Sequence, residues 1–228
     1  MRAVAIIPAR GGSKRIPQKN LAPIEGEPMI SHIIKIAMQS KVFDHVIVST
    51  DDQTITKISS HLGASVIARD TTLSGDTAPI LPVIQNAISK TSYLNYDFVC
   101  MLLPTAIFID PNTIVDAKTI LEADQTLDYV ITVQEFPSAP QRAILLSDSN
   151  TVKMLNPDQL NARSQDLEPY YHDAGQMSFG RKNSWIAGKH SFISNTKAIV
   201  VPKYSSIDID NMEDLDFARA LSNIKRLE

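Results

Sequence analysis

Short apolar runs alternate with helical stripes over the first 134 residues. Residues 4–7 form a compact run closed by Pro8, and Val46-Ile47-Val48, Val66-Ile67, residues 98–103 and residues 129–133 repeat that form. Between them, Met29, Ile30, Ile33, Ile34, Ala37 and Met38 recur at helical spacing, as do Ile55, Ile58 and Leu62 ahead of Gly63. A third stripe (Ile80, Val83, Ile84, Ala87, Ile88) follows Thr77, read as its N-cap, and a fourth (Ile114, Val115, Ile120, Leu121) follows Asp110-Pro111. Strands apolar on both faces and separated by helices predict right-handed crossovers. The expected class is α/β, a doubly wound, mostly parallel, Rossmann-like sheet.

The rhythm breaks after Glu135. Residues 143–146 and 152–155 flank Ser147-Asp148-Ser149-Asn150 and read as a hairpin, and a long polar stretch over 156–173 follows. A stretch of that length is a binding element or a subunit contact rather than a connector. Residues 198–201 then read as a strand and 212–227 as a closing amphipathic helix. The organisation is one domain over 1–228 with an inserted arm over 136–173.

Composition narrows the class. Apolar residues make up 43% of the 228, enough for a core, which excludes disorder as the main state. With 22 Lys+Arg against 25 Asp+Glu the chain carries a formal charge of −3, which argues against a nucleic-acid binder. No segment approaches the ~20 apolar residues of a bilayer span and the N-terminus lacks a leader-like apolar core, so no membrane partner and a cytoplasmic location are expected. Cys100 is the only cysteine and sits in an apolar run, as a small buried hydrophobe would. Trp185 reads as core, and His32, His45, His61 and His190 as surface or helix-face residues.

The net charge hides a local feature. Arg10, Lys14, Arg15 and Lys19 place four cations within the ten positions that follow the first strand, together with Gly11, Gly12 and Ser13. Open α/β sheets place ligands at the carboxyl ends of their strands. Glycines let backbone N–H groups approach an anion there, and the cations neutralise several phosphate oxygens. Neither the Gly-x-x-x-x-Gly-Lys-Ser/Thr nor the Gly-x-Gly-x-x-Gly fingerprint is present. Near the other end, Asp208 and Asp210 stand at alternate positions of an extended segment, where both carboxylates can face one side. Two hard oxygen ligands suit Mg²⁺. Asp210 also reads as a cap for the following helix, and Asp51 and Asp52 as helix caps.

The spacing of Arg10, Lys14, Lys19 and Asn20, taken with the Asp208/Asp210 pair, resembles the CMP-sialate synthetase family of activator-sugar cytidylyltransferases. That resemblance extends through residues 46–52, Arg69 and Asp76-Thr77-Ala78. It implies a nucleotidyltransferase that couples CTP to a nonulosonic acid sugar with release of pyrophosphate, for bacterial surface glycan or flagellin glycosylation. Leu103 stands where sialate-activating members carry glutamine, while residues 161–168, residues 171–176 and the upstream Phe136-Pro137 and Gln141-Arg142-Ala143 resemble the pseudaminate-activating members.

The same resemblance implies the roles. Arg10, Lys14 and Lys19 are catalytic, with Arg15 as a helper, and Ala9, Arg10, Gly11, Ser13, Asn20, Arg69, Asp76 and Thr77 bind nucleotide. Thr105, Arg163, Gln165, His172, Asp173 and Gln176 contact the sugar, and Asp208 and Asp210 hold Mg²⁺. The arm is expected to reach across a homodimer, where Arg163 suits a carboxylate through its bidentate fork. A sialate or legionaminate substrate remains open, and so do a GT-A type glycosyltransferase, which also uses an Asp-x-Asp metal site, and a non-catalytic nucleotide- or RNA-binding module.

Overall fold

A computed structural model describes residues 1–225, so the end of the expected closing helix, Arg226 and Leu227, lies outside the described residues. Strand β1 (Ala3–Pro8) leads to a small ladder of β2 (Pro23–Ile24) and β3 (Glu27–Pro28) and to α1 (Met29–Gln39). Then follow β4 (His45–Thr50), α2 (Gln53–His61), β5 (Ser65–Ala68), α3 (Ile80–Lys90), β6 (Phe98–Leu102), α4 (Pro111–Ala123) and β7 (Tyr129–Glu135). The hairpin of β8 (Ile144–Leu146) and β9 (Val152–Met154) precedes β10 (Tyr171–Arg181), α5 (Lys182–Ile186), β11 (Thr196–Val200) and α6 (Met212–Lys225).

Seven strands form one sheet in the order β11-β7-β10-β6-β1-β4-β5. All neighbours pair in parallel except β10, which runs antiparallel to both β6 and β7. Alternation along β1 builds the two faces: Ala3, Ala5 and Ile7 pack with α1, α2 and α4, while Val4 and Ile6 pack with α3 and α5. Cys100 lies in the first of these cores, where burial pushes its thiol well above its ordinary value and leaves it unreactive. Trp185 is in the second, donating Nε1 to the Val99 carbonyl at 3.1 Å and meeting Tyr129 edge-on at 5.0 Å. A third cluster binds α6 to the loop after β1 through Ile16, Ile24, Ile107, Ile209 and Leu215. Among the described residues no helix is long and apolar enough to cross a membrane.

Three expectations change. Thr77 caps nothing: α3 begins at Ile80 behind Pro79, because a residue preceding proline is disfavoured in the helical region and Ala78 therefore stays outside. Val115 is exposed, so the α4 stripe is narrower than its sequence suggests. The long polar stretch ends in a strand, its positions 171–173 pairing with β7, and the pairing shifts register between Asp173 and Ser178 around Gly175 at φ +62°. A bulge of this kind breaks the apolar alternation that would have disclosed β10.

Gly180 of β10 faces the Tyr129–Trp185 pair, and a Cβ there would overlap the Tyr129 ring and stand 2.9 Å from Trp185 Nε1. Gly180→Ala is expected to destabilise by about 1–3 kcal/mol, seen in a melting scan as a fall in Tm of roughly 3–10 °C for a chain of this size. An unchanged Tm contradicts this packing.

Candidate active site

The cationic loop leaves β1 at the carboxyl edge of the sheet and is tied down by hydrogen bonds near the strand and by Ile16 in the third apolar cluster further on. Ala9 N–H donates to the Ser49 carbonyl at 3.0 Å, and Gly11 N–H to Asp51 Oδ1 at 2.8 Å. Asp52 caps α2 as expected, accepting from the Thr54 and Ile55 N–H groups at 2.7 and 2.9 Å. Asp51 does not cap; it anchors the loop. An ideal Cβ on Gly11 would lie 2.7 Å from Asp52 Oδ2, so glycine alone allows this approach. Asn20 Nδ2 reaches the Arg10 carbonyl at 2.9 Å and closes the loop on itself.

These ties shape a cavity of about 530 Å³ that the loop shares with the ends of β5, β6 and the segment after β11. Arg10, Ser13, Lys14, Arg15, Lys19 and Asn20 line it, facing Arg69, Asp76, Thr105, Asp208 and Asp210. The cations are distributed over two carboxylates. Asp76 accepts from Arg10 Nη1 and from Lys14 Nζ, the latter at 2.7 Å, and these two cations hold its carboxyl below the usual carboxylate range. Asp210 accepts from Arg15 Nη2 at 2.8 Å, with Lys19 Nζ at 3.5 Å; Lys19 also donates to the Ile209 carbonyl at 2.5 Å. Arg69 is buried and donates Nη2 to the Ser49 carbonyl at 2.8 Å. Desolvation lowers its pKa, against the charge of Asp51.

The segment carrying the Asp pair is braced from the sheet. Gln134 of β7 donates to the Pro202 carbonyl at 3.0 Å, Gln176 of β10 to the Ser205 carbonyl at 2.5 Å, and Ser206 Oγ to the Ala174 carbonyl. The helix-capping duty read for Asp210 falls to its neighbours. Asn211 Oδ1 accepts from Asp214 N–H at 3.0 Å, and Asp214 Oδ2 accepts from the Asn211 N–H at 2.9 Å, a reciprocal capping box that leaves the Asp210 carboxylate to the cavity. Asp208 makes no hydrogen bond among the described residues, and its pKa is raised, chiefly by desolvation and then by the charge of Asp210. Two carboxylates at alternate positions, Asp208 without a direct cationic partner and Asp210 with an exchangeable one in Arg15, fit a divalent cation. Among the described residues no third His, Cys, Asp or Glu completes a cluster, so a cation here would take its further oxygens from substrate and water, as Mg²⁺ does.

Other residues read as site residues lie elsewhere. Ala9 is buried beneath the loop, Gly11 is spent on the Asp51 and Asp52 contacts, and Thr77 does not line the cavity. Arg163 and Gln165 are exposed on the arm, away from this chain's cavity. His172 meets the Phe136 ring at a tilt, centroids 4.9 Å apart, with Nδ1 2.8 Å from the Asp173 carbonyl, and Asp173 Oδ1 accepts from Gly175 N–H at 3.0 Å. Gln176 is buried behind the cavity, its Oε1 without a partner among the described residues. Ala78 and Leu103 line the cavity as the resemblance implies, whereas Leu73, Gly75, Ile80 and Val83 of the same wall carry no chemical signal in the sequence and are marked only by their position after β5.

A family model described as Cytidylyltransferase matches residues 4–226. The pseudaminic acid cytidylyltransferase of Campylobacter jejuni subsp. jejuni (serotype O:23/36) is 37% identical over 98% of this chain and 97% of its own length. The CMP-N,N'-diacetyllegionaminic acid synthase of Legionella pneumophila subsp. pneumophila is 32% identical over 99% of this chain and 98% of its own. Among solved structures, CMP:2-keto-3-deoxy-manno-octonic acid synthetase complexed with CTP superimposes with a TM-score of 0.77 over 99% of this chain and 100% of that one. At 19% identity that likeness is one of fold.

A carboxyl whose folded-state pKa is raised costs stability once the pH climbs through that pKa. In chelator-treated protein at pH 7, Asp208→Asn is therefore expected to raise Tm, by a small amount because the group is exposed. The gain should shrink as the pH falls through the ordinary carboxylate range, where the folded and unfolded carboxyls both take up a proton. A lower Tm at pH 7 contradicts the charge frustration described for the pair.

Proposed function

The chain belongs to the cytidylyltransferase family, and on that footing we propose that it transfers the cytidylyl group of CTP to the anomeric hydroxyl of a nonulosonic acid, with pseudaminic acid the preferred sugar. The observation that carries this reading is the gathering, in one cavity, of four loop cations from positions 10–19 and the Asp208/Asp210 pair. The sugar oxygen bonds to the α-phosphorus as the bond from that phosphorus to the bridging oxygen breaks. Pyrophosphate leaves opposite the attack, and the hydroxyl proton passes to solvent. Charge spreads over the phosphoryl oxygens in the transition state, so the protein's part is positioning and electrostatic stabilisation.

Arg10 and Lys14 hold the β- and γ-phosphates and take up charge on the leaving pyrophosphate, while Lys19 and Arg15 face the α-phosphate side next to Asp210. Ser13 and Asn20 orient the nucleotide, and Arg69, desolvated and fixed by Ser49, presents a rigid guanidinium to it. Asp208 and Asp210 are the residues that would hold Mg²⁺, which supplies charge neutralisation at the phosphates and acidifies a hydroxyl bound beside it. Leu103 makes the sugar side of the cavity less polar than glutamine would, in keeping with pseudaminate rather than N-acetylneuraminate. The 37% identical Campylobacter protein bears the same substrate in its name.

The arm is read as a subunit contact. Ile144, Leu145, Leu146, Val152, Leu155 and Leu160 are all exposed on it, a patch that a homodimer would cover. Arg163 and Gln165 lie on the same arm and would then meet the sugar in the partner's cavity, with Thr105 contributed locally.

With CTP, Mg²⁺ and a panel of pseudaminic, legionaminic, N-acetylneuraminic and 3-deoxy-manno-octulosonic acids, pyrophosphate release is expected to be fastest for the first; preference for another overturns the specificity. Asp208→Ala and Asp210→Ala should each cut turnover by about 10²-fold or more while CTP still binds, and unchanged turnover removes the metal role. Mixing inactive Asp208→Ala and Arg163→Ala protomers should restore roughly a quarter of wild-type turnover, since half the dimers would be mixed and each would hold one intact site. If no activity returns, the shared site is excluded.

A further inference from the structure

Each of the four loop cations is already paired with a carboxylate of its own cavity: Arg10 and Lys14 with Asp76, Arg15 and Lys19 with Asp210. Asp210 belongs to the metal pair and has a role in the liganded site. The resemblance counts Asp76 among the nucleotide contacts, yet its carboxylate is taken up by Arg10 and Lys14. It sits between Gly75 and Ala78 on the cavity wall, and its carboxylate takes both cations that the triphosphate must engage. A carboxylate beside phosphate oxygens is repulsive, so it is an unsuitable ligand for the β- and γ-phosphates. The Lys14 side chain is 86% exposed, and Asp76 is the one ion-pair partner it has among the described residues, so nothing else fixes that ammonium group.

The geometry points to Asp76 as a built-in counter-anion, which the triphosphate displaces from Arg10 and Lys14 and which returns to them as pyrophosphate departs. This rests on the function proposed above and assigns Asp76 a positioning role, exerted through the two cations rather than by contact with substrate. Without Asp76 the cations would hold polyphosphate more tightly at both stages. Entry would gain and release would suffer. Asp76 thus weakens the anion site to a level at which the product can leave.

The test uses the full chain and inorganic pyrophosphate alone, titrated by calorimetry in chelator-treated buffer. Asp76→Asn keeps the shape and removes the charge. It is expected to bind pyrophosphate about tenfold more tightly than the native protein, the scale of removing one like charge a few ångströms from an exposed anion site. Asp76→Glu restores the charge and should return the affinity towards the native value. In turnover with CTP and the sugar, the asparagine variant should show a burst of one product per site followed by a slower steady state, with KM for CTP lowered. If Asp76 only propped the loop, its loss would weaken pyrophosphate binding. Equal, weaker or undetectable binding by Asp76→Asn, or a glutamate variant no different from the asparagine one, therefore overturns the proposal. Should Asp76→Asn fail to fold, Asp76→Ser, neutral and smaller, gives the same reading. Pyrophosphate binding is measured without catalysis, so failure of the counter-anion role stays separate from failure of the proposed reaction, which would show as native protein that releases no pyrophosphate from CTP.

Discussion

Four like charges within ten residues repel one another, and the site depends on holding them together. Two such charges about 4 Å apart cost roughly 1 kcal/mol in water and about 4 at the effective dielectric of a protein surface. The chain offsets that repulsion with carboxylates from distant sequence, Asp76 ahead of α3 and Asp210 ahead of α6, both lining the cavity. The backbone contributes as well: Asp51 fixes the Gly11 N–H and Asn20 fixes the Arg10 carbonyl, while Ile16 anchors the loop in the apolar cluster with α6.

The sheet makes these meetings possible. Parallel strands β1, β4, β5 and β6 deliver Arg10, Asp51, Arg69 and Thr105 to one edge, since every parallel strand ends on the same side. Strand β10 runs the other way, and its first half brings Gln176 to that edge from below, where it braces the turn that leads into Asp208 and Asp210. The Asp208/Asp210 pair is thus positioned by side-chain amides of β7 and β10 together with Ser206 of its own segment. Loss of either amide would loosen two carboxylates that already repel each other.

The alternating α/β frame was legible because long apolar stripes and strand runs follow the two periodicities directly, and Asp52, Asp110 and Gly63 punctuate them where the structure ends or begins its helices. The basic loop and the Asp pair were legible as candidate chemistry from their clustering and alternate spacing, and the fold brings them to one cavity. Other features depend on contacts that no local pattern announces. Strand β10 is disguised by its bulge at Gly175, and the start of α3 is set by Pro79 rather than by the capping side chain two residues before it. Gln134 and Gln176 read as polar strand residues until the fold shows what their amides hold. Arg163 and Gln165 lie on the arm and away from the cavity of their own chain, a placement that spacing alone does not convey.

The central claim is a reaction at the α-phosphorus of CTP, and phosphorus NMR of CTP incubated with the protein, Mg²⁺ and pseudaminic acid tests it most directly. The three CTP resonances are expected to give way to one phosphodiester and to pyrophosphate, in equal amounts and only when the sugar is present. Formation of CDP with inorganic phosphate, or a spectrum that never changes, would contradict it.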